Sequence, residues 1–97
     1  MDQSIFLRNR NTHAVITGGT QGLGFAVARR LALEGAPKIM LSGRDSDKGQ
    51  RSADEIAALG CDCRFVKADV AKVDDCRQLM RVAIEESHHF SLLHAHL

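Results

Sequence analysis

The stretch from His13 to Gly35, HAVITGGTQGLGFAVARRLALEG, places four glycines between an apolar, β-branched run and an amphipathic one. Glycine inside a helix costs about 1 kcal/mol relative to alanine, so a cluster at a helix start serves turning or close approach rather than stability. Ahead of the glycines, Thr12 to Thr17 reads as a short buried strand that ends at Gly18. Behind them, Leu23, Val27 and Leu31 recur every four residues, with Phe25, Ala26 and Ala32 widening the stripe, and Gly35 then Pro37 close a helix.

The same alternation recurs twice. Lys38 to Ser42 is a second apolar strand stopping at Gly43, and the polar stretch Arg44 to Gln50 leads into a helix carrying Ala53, Ile56, Ala57 and Leu59, with Gly60 as its C-cap. Cys63 to Ala68 gives a third strand, and Val73, Cys76, Leu79, Met80, Ala83 and Ile84 mark a third helix. Strand and helix alternating three times predict an α/β fold with a parallel sheet, because right-handed crossovers lay each helix on a sheet face. Ser91 to Leu97 reads as the start of a fourth strand, which in the mononucleotide-binding order lies beside the first, opposite the second.

The chain has 97 residues, 44% of them hydrophobic, which suffices for one domain with one core and is too short for two. Thirteen Lys+Arg stand against twelve Asp+Glu without a block of like charge, which argues against a nucleic-acid surface. Ile5 to Leu7 is the only apolar run before Arg8 and Arg10, short of a signal-peptide core or membrane span, so a soluble cytoplasmic protein is expected. Cys61, Cys63 and Cys76 are odd in number and supply too few ligands for a metal, so reduced, buried thiols are expected.

The glycine spacing discriminates between phosphate-binding patterns. Gly19 and Gly24 match the glycines of GxxxxGK, but Phe25 stands where the lysine belongs; GxGxxG from Gly22 and Gly24 meets Val27 at its third position. What remains is TGxxxGxG, Thr17 to Gly24, at a strand-to-helix junction. Here the sequence resembles the short-chain dehydrogenase/reductase family, whose nucleotide-binding half opens with this motif, and the resemblance runs from about Leu7 to Ala83. It implies a single, incomplete, Rossmann-like dinucleotide-binding domain over residues 1–97. Gly18 turns the strand, Gly22 admits a pyrophosphate to the backbone and Gly24 lets helix and strand pack closely, while free N–H groups at the helix start favour the anion. A tight turn with no ligand accounts for one or two glycines but hardly four.

The resemblance carries cofactor contacts onto Thr17, Gly18, Thr20, Gln21, Gly22, Leu23, Gly24, Arg44, Asp69 and Val70. Where a carboxylate would hold the adenosine ribose of NAD stands Gly43, followed by Arg44. In the family an arginine here goes with the 2′-phosphate of NADP, which a guanidinium binds bidentately, so NADP is favoured. NAD stays open, because Asp45 is a candidate for the ribose and Gln21 stands where many NADP-preferring relatives carry a second basic residue. The pair Asp69-Val70 meets the adenine in relatives, and Asp69 is equally placed to cap the third helix.

Relatives continue into an NNAG motif, a catalytic serine and a YxxxK pair, whereas this chain has no tyrosine at all. Without a general acid beside the carbonyl the chain is expected to be inactive alone, a truncated half of an oxidoreductase acting on a carbonyl or alcohol. The tail 87–97 departs from the family by its histidines, His88, His89, His94 and His96. A half sheet leaves an edge and apolar surface uncovered, which predicts marginal stability and association with a copy or a full-length relative. The competing reading is a non-catalytic nucleotide-binding or regulatory module; a methyltransferase-like domain would want an acidic residue after the second strand, and Gly43-Arg44 supplies none.

Overall fold

In the computed structural model, which describes residues 11–18, 20, 22–87 and 89–94, the chain runs strand, helix, strand, helix, strand, helix, strand. The elements are β1 (His13–Thr17), α1 (Gly22–Leu33), β2 (Lys38–Gly43), α2 (Ser46–Ala57), β3 (Asp62–Lys67), α3 (Val73–Glu86) and β4 (Ser91–His94). Expectations placed on Ile5–Leu7, Gly19, Gln21, His88 and Ala95–Leu97 lie outside the described residues, as do the side chains of Leu92–His94.

All strand pairs are parallel, in the order β3-β2-β1-β4. Their register puts Thr17 beside Ser42 and Gly43 beside Lys67, so the carboxyl ends of the first three strands reach one edge together. Side-chain alternation splits the core in two. Ala14, Ile16, Ile39 and Leu41 face Ala28 and Ala32 of α1 and Ala53 and Ile56 of α2, while Val15 and Met40 face Leu79 and Ala83 of α3. Burial on both faces explains why β1 and β2 are continuous apolar runs. The result is a Rossmann-like α/β sheet with β4 beside β1, as the mononucleotide-binding order requires.

Three details differ from the sequence reading. In α1 the most deeply buried residues are Gly24, Ala28 and Ala32, with Phe25, Val27 and Leu31 packed partly buried on the core and Leu23 57% exposed, because small side chains let the helix sit close to the sheet. The second helix begins inside the polar stretch: the Asp45 carboxylate accepts from Lys48 N at 3.1 Å and caps it, with Asp47, Gln50 and Arg51 on the solvent side. At its other end Ala58 is the C-cap, and Gly60 stands two residues beyond it at φ 98°. In α3, Val73 and Ile84 point outward, 65% and 58% exposed, beside the partly exposed Val70.

Gly49 is a close-approach position. A Cβ there would stand 2.1 Å from Phe65 Cε1, so the Phe65 ring of β3 occupies the space that a side chain on the helix would take. Gly49→Ala should lower stability in urea unfolding by about 1–2 kcal/mol despite its better helix propensity, since overpacking outweighs that gain. Adding Phe65→Val should recover most of the loss.

At the amino edge of the sheet, Lys38 Nζ donates to the Glu86 carbonyl at 3.0 Å, and Arg64 pairs with the Glu86 carboxylate at 2.6 Å and with Asp62 at 3.4 Å. Beside them His13 stacks on His89 with ring centroids 4.9 Å apart, and its Nδ1 hydrogen-bonds the Ser87 hydroxyl. Burial, then His89, then Lys38 hold His13 below the usual histidine range. The unfolded chain therefore takes up this proton first, so the contribution is complete above the ordinary value near 6.5 and is lost as pH falls through the lower folded value. Melting temperature should fall between pH 7.5 and pH 5, and fall less in His13→Gln.

Candidate functional site

The carboxyl edge of the sheet gathers three chain reversals. At the first, the buried Thr17 closes β1 and Gly18 adopts φ 72°, a left-handed conformation that side chains with a Cβ rarely take. Its N–H still donates to the Ser42 carbonyl at 2.9 Å, extending the β1–β2 ladder one residue past the strand. The chain then passes Thr20 and enters α1 at Gly22, φ 59°, which is exposed, followed by the buried Gly24. The first turn of α1 holds no acidic side chain, so no carboxylate of its own answers the positive end of that helix.

Two neighbours hold Thr20. Its carbonyl accepts a hydrogen bond from Ser52 Oγ of α2 at 2.6 Å, and its methyl group lies 3.1 Å from where a Cβ on Gly43 would stand. The glycine at the end of β2 therefore makes room for the turn from β1. Arg44 follows it, exposed and with no ion-pair partner among the described residues. Asp45, the alternative ribose ligand, has its Oδ1 engaged as the cap of α2. That leaves Arg44 as the charged side chain free to meet a ligand at this strand end.

The third reversal is closed by its own hydrogen bonds. Ala68 N donates to the Gly43 carbonyl at 2.9 Å, Asp69 Oδ1 accepts from Ala71 N at 3.0 Å, and Asp69 N donates to Asp75 Oδ2 at 2.8 Å. Asp69 does not cap α3. Its N-cap is Lys72, without a side-chain hydrogen bond, and it is the first-turn Asp75 that reaches back to the Asp69 amide. Val70 stands partly exposed beside Asp69, its carbonyl accepting from the Cys76 thiol at 3.2 Å.

Thr17, Gly18, Thr20, Gly22, Leu23, Gly24, Arg44, Asp69 and Val70 thus fall on three adjacent segments of one edge, with Gln21 outside the described residues. Leu23 presents its side chain to solvent. Ser52 and Asp75 were not singled out from the sequence. For Ser52 a signal exists, since Gly49, Ser52, Ala53 and Ile56 share the buried spacing of α2 and a hydroxyl on that face needs a partner; for Asp75 there is none. The three cysteines are free, and burial pushes the Cys61 thiol up to about 11 and the Cys63 thiol up to about 12, so neither supplies a nucleophile at neutral pH. Among the described residues no helix is long and apolar enough to cross a membrane.

A family profile described as short chain dehydrogenase matches residues 12–95. The chain is 37% identical over 75 residues to the human dehydrogenase/reductase SDR family member 2, mitochondrial, covering 77% of this chain and 26% of that protein. To carbonyl reductase (NADPH) 1 of Mus musculus it is 30% identical over 73 residues, 75% of this chain and 26% of the relative. Among solved structures, the Pseudomonas aeruginosa RhlG/NADP active-site complex superposes with TM-score 0.79 at 28% identity, over 93% of this chain and 34% of that one. The chain spans about a quarter of the length of these curated relatives.

Removing the Asp75 carboxylate leaves the Asp69 amide without its acceptor and takes a negative charge from a helix start. Asp75→Ala should cost about 1–2 kcal/mol in urea unfolding and speed hydrogen exchange at the Asp69 amide, with Asp75→Asn intermediate.

Proposed function

We propose a function from one premise: the chain belongs to the short-chain dehydrogenase family, whose profile it matches over residues 12–95. In this reading the chain is the NADP(H)-binding portion of an oxidoreductase acting on a carbonyl or alcohol. Gly18, Gly22 and the start of α1 receive the pyrophosphate, with Thr17, Thr20, Leu23 and Gly24 shaping the turn, Arg44 meets the adenosine 2′-phosphate, and Asp69 and Val70 flank the adenine. The observation that carries it is the joint state of Arg44 and Asp45. The guanidinium stands exposed beside the glycine turn while the carboxylate after it caps α2.

The residues present fit such a ligand. Gly18 and Gly22 bring backbone without a Cβ to an exposed surface, and no first-turn carboxylate of α1 opposes a phosphate. When bound, a nicotinamide dinucleotide supplies the hydride; the chain's own residues bind and orient its adenosine side. These 97 residues include no tyrosine, so this polypeptide carries no tyrosine acid to protonate a carbonyl oxygen. The outward Val73 and Ile84 support association with a copy or a longer relative.

Calorimetric titration tests the reading. NADPH should bind more tightly than NADH, and Arg44→Ala should weaken NADPH about tenfold or more while leaving NADH within twofold, because only the 2′-phosphate loses its bidentate partner. Equal affinities for the two in the unmodified protein would remove the NADP assignment, and absence of heat with both would remove the cofactor altogether.

A further inference from the structure

We propose that Ser52, which lies on α2 outside the glycine motif, is a positioning residue for dinucleotide binding: by clamping the Thr20 carbonyl it holds the glycine turn in the shape that a diphosphate requires. The inference rests on the cofactor reading above and adds to it a residue that touches no ligand. Its basis is a hydrogen bond between positions 32 residues apart, Ser52 Oγ to the Thr20 carbonyl at 2.6 Å. A serine in the middle of a helix ordinarily turns its hydroxyl to solvent or to a carbonyl one turn back. Ser52 is buried, and its hydroxyl leaves the helix for another segment.

The clamp is one of two. On its other side the Thr20 methyl group lies 3.1 Å from where a Cβ on Gly43 would stand, so carbonyl and side chain of Thr20 face different elements, α2 and β2. Glycine-rich chain loses more conformational freedom on ordering than any other. A turn ordered beforehand by Ser52 spares the ligand that cost, and the gain appears as affinity. Since the pyrophosphate is common to NADPH and NADH, the clamp acts on both alike, unlike Arg44, which faces the feature that separates them.

The test is calorimetric titration of the unmodified protein, Ser52→Ala and Ser52→Thr with NADPH, NADH and adenosine 2′-monophosphate, which lacks the diphosphate, each variant also being melted. Loss of one hydrogen bond predicts that Ser52→Ala binds both dinucleotides about fivefold more weakly, that adenosine 2′-monophosphate is unaffected, and that Ser52→Thr returns both dinucleotides to within twofold. Should Ser52→Ala fail to fold, Ser52→Cys, close in size and a weak donor, takes its place in the same comparison. Dinucleotide affinities within twofold of the unmodified protein would overturn the proposal, as would parallel loss of all three ligands, which marks a merely structural role. Absence of NADPH and NADH heat in the unmodified protein is a separate result that overturns the cofactor reading and this role with it.

Discussion

The Gly18 N–H bond to the Ser42 carbonyl is the constraint on which the carboxyl edge depends. It continues the β1–β2 ladder past the last residue of the strand, and Gly18 must satisfy it while already turned to φ 72°. An L-residue with a Cβ adopts that conformation at a cost of order 1–2 kcal/mol, so a side chain here would set ladder and turn against each other. With both satisfied, α1 starts close to the sheet, and its Gly24, Ala28 and Ala32 ridge lets it stay there. The exposed glycine backbone at this edge and the dry core under α1 are two results of one local geometry.

The order of elements was legible in the sequence because β1 and β2 are buried on two faces and the strands are bounded by glycines or polar turns. β1, β2 and β3 lie within a residue of their expected places, and β4 stands beside β1 as the mononucleotide-binding order demands. What escaped was side-chain direction and long-range pairing. Val27 and Leu31 of the α1 stripe do pack on the core, but its Leu23 end is exposed and Gly24, Ala28 and Ala32 lie deepest, and small residues carry little hydrophobic signal. Asp69 looked like a cap because it precedes a helix, but Asp75 reaches its amide from inside that helix. Ser52 and Thr20 are far apart in the chain, so their bond follows from the fold and not from local pattern. At the site, motif residues were readable from spacing; the residues that hold them were not.

The two ends of the sheet divide their chemistry. The amino edge concentrates Lys38, Asp62, Arg64, Glu86 and the His13–His89 stack, and these side chains are engaged with one another. Exposed ion pairs of this kind contribute little individually, but Glu86 joins the end of α3 to Lys38 of β2 and Arg64 of β3 and so fixes where the third helix stops. The carboxyl edge does the reverse: its hydrogen bonds run through backbone and short side chains, and its guanidinium, Arg44, has no ion-pair partner among the described residues. Polar groups satisfied among themselves brace the sheet, while groups left open are available to something else.

Arg44 and its neighbour Gly43 carry opposite evolutionary freedoms. A Cβ at Gly43 would stand 3.1 Å from the Thr20 methyl group, so a side chain there requires that methyl to give way. Arg44, one peptide bond away, is exposed and forms no ion pair among the described residues, so it can be exchanged with little loss of stability. Replacement at the solvent-facing position can therefore alter the charge of this edge without touching the turn, whereas a side chain at the adjacent one has to displace the Thr20 methyl group.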